Sequence, residues 1–158
     1  MTMTETSVRK SVTVQAPADR AFRVFTEGFG RWWPREGHHV GAAGLKEVVL
    51  ECRDGGRWYE IGADGTEHDW GHVLTWDPPH RLVLAWQIDG NRTWHYNPNL
   101  ITEVEVRFVP DGQGRTRVEL EHRNLDRFGD AQDQVRAVFE SPAGWQDPLD
   151  AFAEAAAA

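Results

Sequence analysis

Residues 71 to 86, Gly-His-Val-Leu-Thr-Trp-Asp-Pro-Pro-His-Arg-Leu-Val-Leu-Ala-Trp, constrain this chain more than any other stretch. Two runs rich in leucine, β-branched and aromatic residues flank Asp77-Pro78-Pro79-His80. Proline has a fixed φ and no N–H to give a ladder, so neither proline can sit inside a central strand and the chain turns there. The stretch reads as a hairpin near the middle of a large antiparallel sheet.

Alternation extends the sheet on both sides. Val8, Val12 and Val14 share a parity interrupted by Lys10, which gives a first strand with one wet face. The period then changes: Ala18, Ala21, Phe22 and Phe25 follow helical spacing, Pro17 suits the first turn, and Gly28 is placed to close the helix in a left-handed conformation. Phe29 to Pro34 reads as a second brief helical turn in which one of Trp32 and Trp33 faces inward. Residues 35 to 44 have neither period and read as loop. Turn signals at Asp54-Gly55-Gly56, Asp64-Gly65 and Asp77-Pro78-Pro79 then punctuate a meander of four or five strands.

Residues 89 to 99 carry Trp94 and Tyr96 and are too long for a tight turn, so they are expected to fold over a rim as a lid. Two clear strands follow, with Val104, Val106 and Phe108, then Val118, Leu120 and His122, on the buried face. From Asp126 the pattern is helical: Val135, Val138 and Phe139 form a stripe, Ser141 to Gly144 break it, and a final helix runs from about Trp145 to Ala157.

With 158 residues the chain suits a single domain over 1–158, residues 1–6 being a flexible N-terminal tail. Seventeen basic against 25 acidic residues give a net charge of −8 without any run of Lys or Arg, which argues against nucleic acid and anionic membrane surfaces. Cys52 is the only cysteine, which excludes an internal disulfide and the two-cysteine zinc frameworks and suits a reducing, cytoplasmic location. No apolar run approaches the length needed for membrane insertion. The acidic surface and exposed helices permit a homodimer without requiring one.

The order strand, two short helices, meander, C-terminal helix resembles the START/Bet v 1-like (SRPBCC) helix-grip fold. The likeness is closest to the branch similar to the C-terminal domain of the activator of Hsp90 ATPase. It rests on Ala16-Pro-Ala-Asp-Arg-Ala-Phe22, Trp32-Trp33-Pro34, Arg53-Asp-Gly-Gly-Arg-Trp58, Gly71-His-Val-Leu, Asp77-Pro-Pro-His-Arg-Leu82 with Trp86, Val104-Glu-Val-Arg-Phe108, Thr116 to His122, and Gly144-Trp145. The resemblance implies an α+β protein of order β-α-α-β(5-6)-α. A curved antiparallel sheet of six or seven strands would grip a C-terminal helix around an apolar cavity. Members of such a fold bind lipids, hormones or polyketides, or catalyse small-molecule chemistry; the fold alone fixes none of these.

Eight tryptophans exceed what packing a domain of this size requires, and their broad faces suit the wall of a pocket for a flat or greasy ligand. The expected lining is Trp33, Trp58, Trp70, His72, Trp86, Trp94, Val106, His122, Trp145 and Phe152. Three polar residues are acid–base candidates. His122 shares parity with Val118 and Leu120; it is a proton shuttle or a hydrogen-bonded core histidine. Glu60 shares parity with Trp58, so it either approaches the cavity as a general acid or base or ends the strand in water. His72 alternates with Trp70 and His68, which sets the two imidazoles on one face. His38, His39 or His95 would have to complete a metal site there; with no further ligand motif, neither metal nor organic cofactor is expected.

There is no Gly-x-Ser-x-Gly elbow, no glycine-rich phosphate loop, and no cue for an activated Cys52. The leading expectation is therefore a binder of a small apolar or aromatic ligand. An enzyme of cyclase, dehydratase or hydrolase type in the same cavity is the second reading, and a stress-related or co-chaperone-like protein-interaction module the third.

Overall fold

A computed structural model describes residues 6–34, 38–89 and 94–158. Most of the expected N-terminal tail, part of the 35–44 loop and the start of the expected lid lie outside those residues. Strands β1 (Val8–Val14), β2 (Leu45–Leu50), β3 (Arg57–Gly62), β4 (Glu67–Asp77), β5 (Arg81–Trp86), β8 (Thr102–Pro110) and β9 (Thr116–Arg123) form one antiparallel sheet. Its order is β1-β9-β8-β5-β4-β3-β2. The hairpin expected at Pro78-Pro79 joins β4 to β5 in the middle of this sheet, through a cis peptide between the prolines. A separate pair, β6 (Ile88–Asp89) with β7 (His95–Tyr96), stands beside it.

The helices α1 (Ala18–Thr26), α2 (Phe29–Trp32), α3 (Gln132–Glu140) and α4 (Asp147–Ala157) cover the inner face of the sheet. In α1 the residues Ala21, Phe22 and Phe25 are buried, as their spacing predicts. Gly28 does not close α1 in a left-handed conformation: its φ is −93°, and glycine is needed because a Cβ would approach the Val24 carbonyl oxygen to 2.8 Å. The break expected at Ser141 to Gly144 is a π turn over Pro142–Gln146 between α3 and α4. No helix among the described residues is long and apolar enough to cross a membrane.

The inner core has two halves. Phe22, Phe25, Phe108, Phe152 and Trp32 pack together in one, while the other holds the remaining buried indoles. Phe29 bridges them, touching Phe25 on one side and Trp33, Trp58 and Trp70 on the other. Each fully buried large side chain contributes about 1.5–3 kcal/mol relative to leaving it exposed, so this layer dominates stability. The opposite face of β8 and β9 is ionic: Glu105 pairs with Arg81 and Arg123, and Arg123 also holds Glu103 at 2.8 Å.

Both Trp32 and Trp33 are buried, not just one of them. Trp33 keeps a helical φ of −63° and donates its N–H to the Phe29 carbonyl, so its indole follows one turn after Phe29 and stacks on that ring at 5.2 Å; the extended ψ of 130° turns the chain away only after it.

Candidate functional site

A β-bulge builds the aromatic half. Trp58 pairs with Gly71 and Tyr59 with Asp69, which leaves Trp70 as an extra residue on β4. Across the bulge the side-chain parity changes, so Trp58, Trp70 and Glu60 are all fully buried on the inner side. The bulge depends on Gly71: a Cβ there would lie 1.7 Å from the Ala85 carbonyl oxygen.

The same bulge removes His72 from the pocket. His68 pairs with the inward Glu60, but His72 pairs with the exposed Arg57, so the two imidazoles face opposite sides of the sheet. His72 Nδ1 lies 3.0 Å from Gln87 Oε1 on that outer side. Its roles as pocket wall and acid–base candidate are therefore corrected. Among the described residues no three His, Cys, Asp or Glu side chains gather as a metal site would need.

The remaining indoles converge. Trp70 touches Trp33 at 5.3 Å, Trp58 at 5.4 Å and Trp94 at 6.3 Å between ring centroids. Trp86 touches Trp58, Trp94 and Trp145 at 5.4–5.7 Å. Most are edge-on contacts, the favoured geometry for aromatic quadrupoles. The rings fill the space expected to be open: Trp58 and Trp70 are 0 % exposed, Trp86 2 %, Trp145 3 % and Trp33 4 %. Trp94 alone among these rings is half-buried; it lies against Trp86, Trp70 and His38. Open clefts of about 510, 400 and 210 Å³ lie elsewhere: between α1 and the end of α4, along β2 beside α2, and between β1 and β9.

Glu60 does not end its strand in water. Its Oε1 accepts from Trp70 Nε1 at 2.7 Å and from the Val40 N–H, and its Oε2 accepts from the Gly41 N–H at 2.9 Å. A buried carboxyl group needs such donors. Here they tie the 38–44 loop to the sheet and to the indole cluster.

His122 is the hydrogen-bonded core histidine. Thr102 Oγ1 donates to the Trp86 carbonyl at 3.0 Å, so it accepts from His122 Nε2 at 2.8 Å; His122 Nδ1 in turn accepts from Trp145 Nε1 at 3.2 Å. One directed chain thus runs from the π turn through β9 and β8 to β5, and it fixes the neutral Nε2–H form. Burial without a carboxylate partner pushes the imidazole pKa down from its ordinary value to about 3. Nothing among the described residues activates Cys52 as a thiolate: burial first, then the Glu27 carboxylate, push its thiol pKa up against an opposing hydrogen bond from Thr26.

The structure thus brings together Trp33, Trp58, Trp70, Trp86, Trp94, Trp145, His122 and Glu60. Phe152 packs in the other half, against Phe25 and Trp32, and Val106 is buried on β8 in the ladder between Leu82 and Leu120. Residue-by-residue reading left out Thr102, took Phe139 only as part of a helical stripe and weighed His38 only as a metal ligand. Phe139 stacks against His122 at 4.4 Å, and His38 links Trp33 to the Ala143 carbonyl through its own carbonyl and Nε2. Thr102 did carry a signal, a polar residue at the start of an inward-facing strand.

The family model described as "Activator of Hsp90 ATPase homolog 1-like protein" matches residues 15–157. The chain belongs to that family. No curated protein matches it. Among solved structures, "An anthrahydroquino-Gama-pyrone synthase Txn09 complexed with SUM" is similar at 41% identity over 94% of this chain and 96% of that one, with a TM-score of 0.64. The self-sacrificing resistance protein CalC from Micromonospora echinospora is similar at 35% identity over 96% and 94%, with a TM-score of 0.69. An Hsp90 activator from Plasmodium falciparum, PFC0360w, shares the fold at 18% identity over 75% and 73%, with a TM-score of 0.51. The Hsp90-activator-like family lies within the START/Bet v 1-like superfamily, whose members bind hydrophobic ligands.

Proposed function

We propose that this chain binds one flat polycyclic aromatic molecule in the slot now covered by Trp94. The observation that carries the reading is the position of that indole. Trp94 comes from a surface segment, stays half-buried, and its neighbours are the rings of Trp70, Trp86 and His38. A ligand ring that takes its place inherits the same aromatic walls without breaking the Glu60 or His122 hydrogen bonds. The 41% identity to a protein named as a synthase supports the same chemistry of ligand.

That relative also favours a second reading, an enzyme. Glu60 and His122 already spend their hydrogen-bonding groups inside the protein, so in such an enzyme the aromatic walls would act by orienting the ring system and excluding water. A ligand recovered with altered mass after incubation favours this reading, and one recovered unchanged favours binding.

Calorimetry with anthracene-2-sulfonate tests the proposal. One-to-one binding is expected, and Trp94→Ala should speed association several-fold because the cover no longer has to leave first. Wild-type protein that binds neither this probe nor its quinone counterpart overturns the proposal.

A further inference from the structure

Six indoles are buried: Trp32, Trp33, Trp58, Trp70, Trp86 and Trp145. Five place their N–H on an acceptor. Trp32 bonds the Val24 carbonyl at 3.1 Å, Trp33 the His38 carbonyl at 2.9 Å, Trp70 Glu60, Trp86 the Ile88 carbonyl at 3.1 Å, and Trp145 His122. Trp58 is the exception. Its Nε1 has no acceptor among the described residues, although the residue is 0 % exposed.

A buried donor left without a partner is costly and rare enough in folded proteins to need a reason. Relocating the fault is not open to the chain, because Trp58 is wedged edge-on among Phe29, Trp70 and Trp86 at 5.4–5.7 Å. Both Glu60 oxygens, the buried acceptors on the same strand, are already engaged by other donors.

We propose that the acceptor for Trp58 Nε1–H is a ring carbonyl oxygen of the bound molecule, which makes the ligand a fused-ring carbonyl compound of quinone or pyrone type. The inference rests on the ligand site described above: Trp70 and Trp86, which flank Trp94, also flank Trp58, so a ring system longer than one indole is needed to reach it. Three chemical arguments select the carbonyl. A hydrocarbon ring offers no acceptor, and a sterol accepts only through a hydroxyl that brings its own O–H. A phenol accepts but brings its own O–H, for which the surrounding rings supply no partner. A carboxylate would carry its charge in among apolar rings and beside Glu60, with no Lys or Arg among the described residues that touch the cluster's rings. A carbonyl lies in the plane of a flat ring system, accepts without donating, and carries no charge.

Anthraquinone-2-sulfonate and anthracene-2-sulfonate form a matched pair of probes, with the same ring frame and charge, differing in the two ring carbonyls. Wild-type protein should bind the quinone at least tenfold more tightly, and Trp58→Phe should reduce that preference below threefold by weakening the quinone alone. Independently of any variant, the Trp58 indole proton, assigned by triple-resonance NMR of wild-type protein, should move downfield with the quinone and not with the anthracene. Equal wild-type affinities overturn the carbonyl inference while leaving the aromatic-ligand reading standing, as does a preference that survives Trp58→Phe. So does a Trp58 indole proton that saturating quinone leaves in place, the mark of an N–H donating to a neighbouring ring face. Absence of binding by both probes overturns the reading and the inference together.

Discussion

Trp145 Nε1 donates to His122 Nδ1 across 3.2 Å, and this contact joins the π turn between the two C-terminal helices to strand β9. The donor has one proton and no lone pair to offer, so His122 Nδ1 must stay unprotonated for the contact to exist. Neutrality of His122 is therefore built into the way the helices dock on the sheet.

Acid should unfold the protein partly through this residue. The folded-state pKa near 3 lies below the ordinary value of 6.5, so the unfolded chain binds the extra proton first. The stabilisation is present above pH 6.5 and is lost as pH falls toward 3. Between pH 7 and 4.5 the loss amounts to about 2.5 kcal/mol. Urea unfolding of wild type and His122→Gln across that range should show the variant's stability falling by about that much less. Glu105, whose pKa burial raises but whose bonds from Arg81 and Arg123 lower on balance, contributes equally to both proteins and cancels in the difference. Parallel pH profiles would show that His122 is not held neutral.

Thr102→Val keeps the side-chain shape but removes the hydroxyl that links His122 to the Trp86 carbonyl. It leaves a buried N–H unpaired and a buried carbonyl short of a donor, so a loss of about 1–3 kcal/mol is expected in urea unfolding at pH 7. Combined with Trp145→Phe, the losses should be less than additive, because both substitutions break one chain. Strict additivity would mean the two bonds act independently.

The hydrogen-bonded residues were legible wherever strand parity holds. Alternation along β9 turns His122 inward, whereas the parity Glu60 shares with Trp58 left it either inside or at the strand end in water, and its full burial decides for the inside. Parity failed at His72 because an extra residue, Trp70, is inserted into β4; a bulge has no sequence period of its own, and Gly71 is its one trace. The filling of the aromatic half was not legible either. Residue types name the rings that meet, but the volume left between them depends on rotamers and on the sheet's curvature, which no single side chain encodes.

Glu60→Gln tests the loop anchor. The carboxamide has nearly the same size, yet its NH2 must face at least one of the donors from Val40, Gly41 and Trp70. The expected cost is about 1–3 kcal/mol, concentrated at the loop. Amide exchange at Val40 and Gly41 should quicken at least tenfold while exchange in β8 and β9 follows global stability alone. Unchanged protection at those two amides would show that the carboxylate does not hold the loop.

Gly71→Ala addresses the bulge on which the whole aromatic arrangement depends. A methyl group there would overlap the Ala85 carbonyl oxygen, an atom fixed by the ladder between β4 and β5, so the conflict cannot be relieved by turning a side chain. The strands must part, or the bulge must relax; relaxing it restores simple alternation through Trp70 and returns His68 and His72 to one face of the sheet. Either route should cost on the order of 3 kcal/mol or more in thermal or urea unfolding. The exchange protection of the Trp70 indole N–H, bonded to Glu60, should fall with it. Gly55→Ala provides the control. Gly55 has a φ of +76° and open space where an added methyl group would lie, so it isolates the left-handed backbone penalty, about 1–2 kcal/mol. A Gly71→Ala cost no larger than the Gly55→Ala cost would mean that the close approach to Ala85 is not what keeps Trp58 and Trp70 side by side.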